Sequence, residues 1–203
     1  MEQDDLDAIT VRCFDLLGTI ETSGCVALAQ LNDDGIVAGC EGDVPAALAM
    51  LWVRVLLDRP SWIANPASIR AASREVVLAH CTIAPSMVDD IELTTHFESG
   101  IGVGIHGRLR ATEVTLVRLG GSNLDRRWIA EGRVVGWGDD PDLCRTQATG
   151  VVDRGDVGDL LDDPLGNHLV VVEGRHTQRL ETWWRWAIAP VGESLGQAAL
   201  DSP

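Results

Sequence analysis

The sequence predicts an α/β plus β fold: a partial parallel β-α-β-α-β sheet, then an antiparallel β-barrel-like region and a C-terminal helix. Up to about residue 70, short apolar runs alternate with helical patterns, which is typical of parallel α/β structure. Beyond it, strand patterns follow one another across Gly-rich and acidic turns, which favours antiparallel pairing. We therefore divide the chain into a Rossmann-like domain (1–70), a barrel domain with a C-terminal helix (71–190) and a tail (191–203).

The first domain opens on the β-branched run Ile9-Thr10-Val11, which favours a strand. Its second helix is the most clearly marked element, because Asp43 stands where an N-cap belongs and Pro45 falls in the first turn, where its missing N–H does no harm. The run Asn32-Asp33-Asp34-Gly35 predicts a turn before the second strand. The predicted elements are strands at 9–14, 36–40 and 61–64 and helices at 24–31 and 44–58.

The second domain contains consecutive β-rich segments separated by turn sequences such as Gly120-Gly121-Ser122-Asn123. A last βα unit follows, in which an apolar run at 169–172 leads into a helix from His176 to Ile188. We expect the three tryptophans of this helix to pack in the core or at a subunit interface. The predicted strands before the last unit are 75–81, 112–119, 126–135 and 143–152.

The composition is strongly acidic. The 203 residues carry 31 acidic and 16 basic side chains, a net charge of -15. Such a surface repels phosphate backbones and anionic lipid, so nucleic acid and membrane surfaces are excluded as expected partners. Every basic residue is Arg, Lys is absent, and Asp outnumbers Glu. This pattern is typical of a halophilic, high-salt cytosol and equally of a GC-rich genome, so halophily is a hypothesis only.

The chain ends and the cysteines indicate a cytoplasmic protein. The acidic N-terminus differs from a secretory signal, and the longest apolar stretch, 44–57, contains Pro45 and Arg54 and falls short of the ~20 residues of a membrane span. Five cysteines with no C-x-x-C pair argue against a disulfide framework or a zinc ribbon. We expect most of them to be small buried hydrophobes.

Two segments contain residue types that could carry chemistry. Cys40-Glu41-Gly42-Asp43 places two carboxylates after a predicted parallel strand, at the sheet edge where ligands collect. The alternative is that Asp43 only caps the helix while Glu41 faces solvent. Gly166-Asn167-His168 places an imidazole before an apolar strand, where it could bind a metal ion or be merely structural. Weaker candidates are His80, His96 and His106.

These segments resemble the L-fucose/L-arabinose isomerase family. The run from Cys40 to Leu51 is similar to its strand–carboxylate–helix segment, in which Glu-x-Asp precedes a similar Ala/Leu/Met helix. The second match is Gly166-Asn167-His168 with Gly174 six residues beyond the histidine, and the strand that reaches Arg118 resembles the barrel region. The resemblance covers most of residues 10–190 but only the C-terminal half of a usual member.

The resemblance implies metal-dependent interconversion of an aldose and a ketose through an enediol. It assigns Asp43 and His168 as ligands of a divalent cation, typically Mn²⁺, with Mg²⁺ as the alternative. A further family carboxylate lies some twenty residues before the aspartate; Glu21 is the candidate, with Cys25 as the other occupant of that place. Glu21 and Asp43 are therefore the candidate catalytic and metal-binding carboxylates. The expected substrate-binding residues are Asn167, His80 and Glu41, and Glu41 could also orient the ligands.

The resemblance also implies a sugar substrate and a homo-oligomer, a trimer or hexamer, with active sites between subunits. We expect the recognition domain that precedes this region in the family to come from a separate chain. The alternative is a non-catalytic sugar-binding or structural subunit derived from the same family. Ketose formation from fucose, arabinose or related sugars with added Mn²⁺ would separate the two.

Overall fold

The computed structural model describes residues 6–188, so the predicted tail at 191–203 lies outside it. Two short 3₁₀ helices, Ala71–Ser73 and Pro85–Met87, accompany the longer elements. In chain order these are β1 (Ala8–Thr10), α1 (Cys13–Ile20), α2 (Cys25–Asp33), β2 (Val37–Gly39), α3 (Val44–Leu57), β3 (Trp62–Arg70), β4 (Glu75–His80), β5 (Val88–Thr94), β6 (Gly104–Leu109), β7 (Glu113–Gly120), β8 (Arg126–Trp137), β9 (Thr146–Arg154), α4 (Asp159–Asp162), β10 (Leu169–Glu173) and α5 (Thr177–Ile188).

A closed six-stranded barrel forms the centre of the fold, with the strand order β10-β3-β4-β9-β8-β7. Every neighbouring pair is antiparallel, which confirms the predicted antiparallel barrel. Side chains at alternate positions fill its interior, because successive residues of a strand point to opposite faces. The largest group of buried apolar residues lies there and includes Trp62, Val76, Leu78, Leu116, Trp128 and Leu169.

The predicted three-stranded parallel sheet is only partly present. β1 and β2 pair in parallel, with Ala8 opposite Val37, but β3 does not join them. It pairs antiparallel with β4 and β10, so the barrel begins inside the predicted first domain. The final βα unit is present as predicted, as β10 followed by α5, and β10 lies antiparallel between β3 and β7. An apolar run predicts a buried strand, but does not specify which sheet the strand joins.

Two further elements differ from the prediction. The strand expected at 9–14 ends at Thr10, and α1 begins at Cys13, because the β-branched run stops at Val11. The hairpin of β5 and β6 was not predicted, since acidic residues interrupt β5 and glycines interrupt β6. Val88, Ile105 and other apolar side chains of this hairpin pack against the barrel interior.

Helices α3 and α5 cover the outer face of β7 and β10. Their apolar side chains pack with residues such as Val117 and Val170, whose side chains point out of the barrel. The rings of Trp183 and Trp184 in α5 each lie 5.5 Å from the ring of Trp52 in α3. Of the three tryptophans of α5, Trp184 is buried in the core as expected, whereas Trp183 and Trp186 are exposed. No helix within residues 6–188 is long and apolar enough to cross a membrane, and the five cysteines are buried and free.

Buried Asn32 ties α2 to β2, the strand that precedes the two candidate carboxylates. Its amide Nδ2 donates to the carbonyl of Ala38 at 2.8 Å, and its Oδ1 accepts from the N–H of Ala38 at 3.0 Å. We expect Asn32→Ala to lower the free energy of unfolding by about 2 kcal/mol, because it leaves buried backbone groups unpaired. Urea unfolding measures this. Gln30→Ala, on the exposed face of the same helix, is the control and should change stability by less than about 0.5 kcal/mol.

Candidate metal centre

Four side chains meet at one end of the barrel. Glu41 and Asp43 come from the loop between β2 and α3, His80 ends β4, and His168 directly precedes β10. Asp43 Oδ2 lies 2.8 Å from His168 Nδ1. The two oxygens of Glu41 each face one histidine, at 3.5 Å from His80 Nε2 and 3.5 Å from His168 Nε2. The two imidazole rings pack edge to face with centroids 5.4 Å apart.

A tight turn brings both carboxylates to this point. Glu41 and Gly42 have left-handed backbone, with φ of 59° and 68°. Gly42 is required there, since a Cβ would lie 2.8 Å from the Cγ of Arg12 in addition to the strain of its φ. Left-handed backbone is uncommon for a residue such as Glu41, and strain of this kind concentrates at functional sites. The turn thus holds the Glu41 carboxylate toward the histidines at a cost in backbone energy.

Asp43 uses both carboxylate oxygens. Oδ1 accepts the N–H of Ala46 at 2.9 Å, which caps α3, and Oδ2 accepts from Nδ1 of His168. Burial disfavours the charged form, but the hydrogen bonds from His168 and Ala46 prevail and lower the pKa of Asp43. The ionised carboxylate fixes the histidine ring with Nδ1 protonated. The other ring nitrogen, Nε2, is then directed toward Glu41.

The two histidines each present a buried nitrogen without a hydrogen-bond partner. His80 and His168 are 2% and 3% exposed. Nδ1 of His80 is paired with the hydroxyl of Thr82 at 2.9 Å, whereas Nε2 of each ring has no hydrogen-bond partner within residues 6–188. One ring nitrogen of each histidine and one Glu41 oxygen lie within 4.8 Å of one another. Unpaired buried nitrogens are costly, and a shared metal ion would satisfy both, so the residues fit a metal site.

Burial and hydrogen bonds set the charge states of this group. His168 and then His80 lower the pKa of Glu41, so this carboxylate is ionised. Burial lowers the pKa of His80, so its ring is neutral, as a metal ligand requires. Burial also opposes the charged form of His168, but Asp43 and Glu41 outweigh it and raise its pKa to about 9. Two carboxylates thus face one imidazolium in the metal-free protein, and the charge of Arg118 also lowers the pKa of Asp43.

The structure brings some of the sequence candidates together and leaves others apart. Asp43 and His168, 125 positions apart, are in direct contact, and Glu41 and His80 adjoin them. Glu21 is exposed at the left-handed C-cap of α1 and makes none of these contacts. The other candidates are Asn167, which is exposed beside His168, and Cys25, which packs with other cysteines.

Sequence reasoning gave His80 less weight than its position in β4 warrants. Val76 and Leu78 point into the barrel, and His80 follows them at the same two-residue spacing. A histidine that ends the inward-facing row of a barrel strand lies at the mouth of the barrel. That alternation was available in the sequence and could have identified the residue.

Comparisons with known proteins identify sulfoquinovose isomerases as relatives. The protein of Priestia aryabhattai is 28% identical over 125 residues, which cover 59% of this chain and 28% of the relative. That of Clostridium sp. (strain MSTE9) is 30% identical over 102 residues, 50% of this chain and 22% of the relative. The chain is similar to sugar isomerases. The sulfoquinovose isomerase of Alkalicoccus urumqiensis is 26% identical over 124 residues, which cover 58% of this chain and 28% of the relative.

The similarity to sugar isomerases supports the predicted activity only at the level of aldose–ketose isomerisation. No family model matches the chain. The matched region spans no more than 28% of the length of these relatives. Membership of the L-fucose isomerase family in particular therefore stays a prediction, as do the metal-binding and catalytic roles of individual residues.

Proposed function

We propose that Glu41, His80 and His168 bind a divalent metal ion and that this site serves an aldose–ketose sugar isomerase. The observation that carries the proposal is the convergence of two buried, unpartnered imidazole nitrogens on one carboxylate, in a chain similar to sugar isomerases. Two nitrogen ligands and one oxygen ligand favour Mn²⁺ over Mg²⁺, which prefers oxygen alone.

The proposal changes the roles expected for the two carboxylates. Both oxygens of Asp43 accept hydrogen bonds within the protein, so we assign Asp43 to orienting His168 and Glu41 to binding the metal. A carboxylate that holds the far nitrogen of a metal-binding histidine is a common arrangement around metal ions. His80 moves from the expected substrate-binding set to the metal ligands, where Thr82 orients its ring.

Glu41 is also the group best placed to move a proton. Its side chain is 25% exposed, whereas the side chains of His80 and His168 are 3% and 1% exposed, so a substrate reaches Glu41 first. When bound, the metal supplies Lewis acidity that polarises the carbonyl and hydroxyl oxygens of an open-chain sugar. The Glu41 carboxylate takes the proton from C2 of the aldose, which gives the enediol, and returns it to C1, while the proton of the C2 hydroxyl passes to the C1 oxygen, which gives the ketose.

The proposed substrate is an aldose, and sulfoquinovose is the first one to test because the relatives carry its name. The expected homo-oligomer, a trimer or hexamer, and a recognition domain on a separate chain belong to the same proposal. The non-catalytic sugar-binding subunit stays the alternative, since Glu21 lies outside the metal group. A protein that binds Mn²⁺ but forms no ketose from any aldose, alone or with a partner chain, would favour that alternative.

We expect Mn²⁺ at 100 times its Kd to stabilise the protein by about 2.7 kcal/mol, a rise in melting temperature of about 5–10 °C for a chain of this size. Thermal melts with Mn²⁺, Mg²⁺, Zn²⁺ or EDTA measure the effect and rank the metals. The variant His80→Gln/His168→Gln should lose it, whereas His176→Gln, outside the site, should retain it. Wild-type protein whose melting temperature no divalent cation raises would contradict the proposal.

A further inference from the structure

Arg118 of β7 is a buried arginine whose side chain points into the barrel. It follows Val114 and Leu116 at the two-residue spacing of the inward-facing row, and it is 3% exposed. Its Nε donates to the backbone carbonyl of His168 at 2.8 Å. Its Nη2 is buried and has no hydrogen-bond partner within residues 6–188. The guanidinium is therefore far from satisfied.

Stability does not explain an arginine at this position. Burial lowers the pKa of Arg118 to about 10, although the charge of Asp43 opposes the shift, so the group is still a cation near neutral pH. An incompletely paired buried charge is costly, and an apolar side chain of similar volume is often neutral or stabilising in its place. The neighbouring residues Leu116 and Trp128 are apolar and would pack against such an apolar side chain.

We propose that Arg118 is a positioning residue for the metal site, an inference that rests on the proposed function. Its hydrogen bond fixes the backbone from which the His168 imidazole projects, while Asp43 fixes the ring itself. The histidine is thus held at two points, one inside the barrel and one at its mouth. This arrangement keeps Nε2 directed at Glu41.

If Arg118 acted only through its charge, replacing it would change the Mn²⁺ affinity in the direction opposite to that expected for a positioning residue. A positive charge close to the site repels a divalent cation, so removing it would tighten metal binding. Removing a positioning contact would weaken metal binding, since such outer contacts are commonly worth 10-fold to 100-fold in affinity. The sign of the change in Mn²⁺ affinity therefore separates the two roles.

The experiment measures the Mn²⁺ affinity of the full chain by calorimetry and by electron paramagnetic resonance of free Mn²⁺. We expect Arg118→Met, which has neither donor nor charge, to bind about tenfold more weakly, while its metal-free melting temperature stays equal or rises. Arg118→Gln and Arg118→Lys each keep a donor for the carbonyl of His168 and should restore affinity to within about threefold of wild type. Arg127→Met, which loses an ion pair with Glu181 in α5, is the matched control and should bind Mn²⁺ like wild type.

Two results would overturn the role of Arg118. One is Mn²⁺ binding by Arg118→Met as tight as that of wild type. The other is tighter binding by either neutral variant. If Arg118→Met does not fold, Arg118→Gln still decides between the two roles: affinity below that of wild type, by up to about threefold, supports positioning, and equal or tighter binding refutes it. Wild-type protein that binds no Mn²⁺ would instead overturn the proposed function itself.

Discussion

Glu41→Gln is expected to abolish the rise in melting temperature that Mn²⁺ produces, and to lower aldose–ketose isomerase activity by about 10²–10⁴-fold. The substitution keeps the size of the side chain but removes its charge. The two histidines would then face a neutral amide, and Asp43, the carboxylate that remains beside them within residues 6–188, has both oxygens engaged. Thermal melts with Mn²⁺ and EDTA measure the first effect, and ketose formation measures the second.

Glu173→Gln is the matched control for this variant. Glu173 ends β10, the strand that His168 precedes, and its exposed carboxylate contacts Arg59 at 3.7 Å. An exposed ion pair of this kind contributes little to stability, so the control should respond to Mn²⁺ like wild type. A Glu41→Gln protein that still gains the full Mn²⁺-dependent stabilisation would exclude Glu41 as a ligand.

The barrel was predictable from the sequence to a large extent, and the parallel sheet was not. Strands such as β7 and β8 follow directly from their β-branched content and from the Gly-rich turn between them. β3 was assigned to the wrong sheet because alternation of apolar runs and helices describes local structure only. Its antiparallel partners, β4 and β10, are chosen by closure of the barrel, which is a property of the whole chain.

The site was predictable in the part that lies on short motifs. Asp43 and His168 stand in segments with a recognisable pattern, and the structure brings them into contact. His80 and Arg118 adjoin that pair because strand register brings their inward-facing rows to the same end of the barrel. Register depends on bulges such as the one between Pro66 and Ser68, which no local pattern reveals. Sequence reasoning thus expected His80 only as a substrate-binding residue and did not place Arg118 at the site.

Asp43→Asn is expected to weaken Mn²⁺ binding by about 100-fold, although it is the closest substitute in shape. One carboxylate oxygen of Asp43 accepts a hydrogen bond from Ala46 and the other accepts one from His168. The side chain of asparagine has one oxygen only. If that oxygen caps α3, the amide N–H₂ faces His168 Nδ1 and requires the tautomer with hydrogen on Nε2, which cannot bind metal. If the amide flips, its N–H₂ group faces the N–H of Ala46. Two donors then oppose each other and α3 loses its cap. Calorimetric titration with Mn²⁺ measures the loss.

Asp43→Ser separates the two roles of this residue. Serine is a good N-cap and keeps the bond to Ala46, but it is too short to impose a tautomer on His168. We expect it to melt somewhat below wild type without metal, because His168 loses a charged partner, and to bind Mn²⁺ about tenfold more weakly. The Mn²⁺ affinity should therefore decrease in the order Asp, Ser, Asn. Asparagine resembles aspartate in shape more closely than serine does, yet it should bind Mn²⁺ more weakly. Tighter binding by Asp43→Asn than by Asp43→Ser would show that the carboxylate does not act by setting the histidine tautomer.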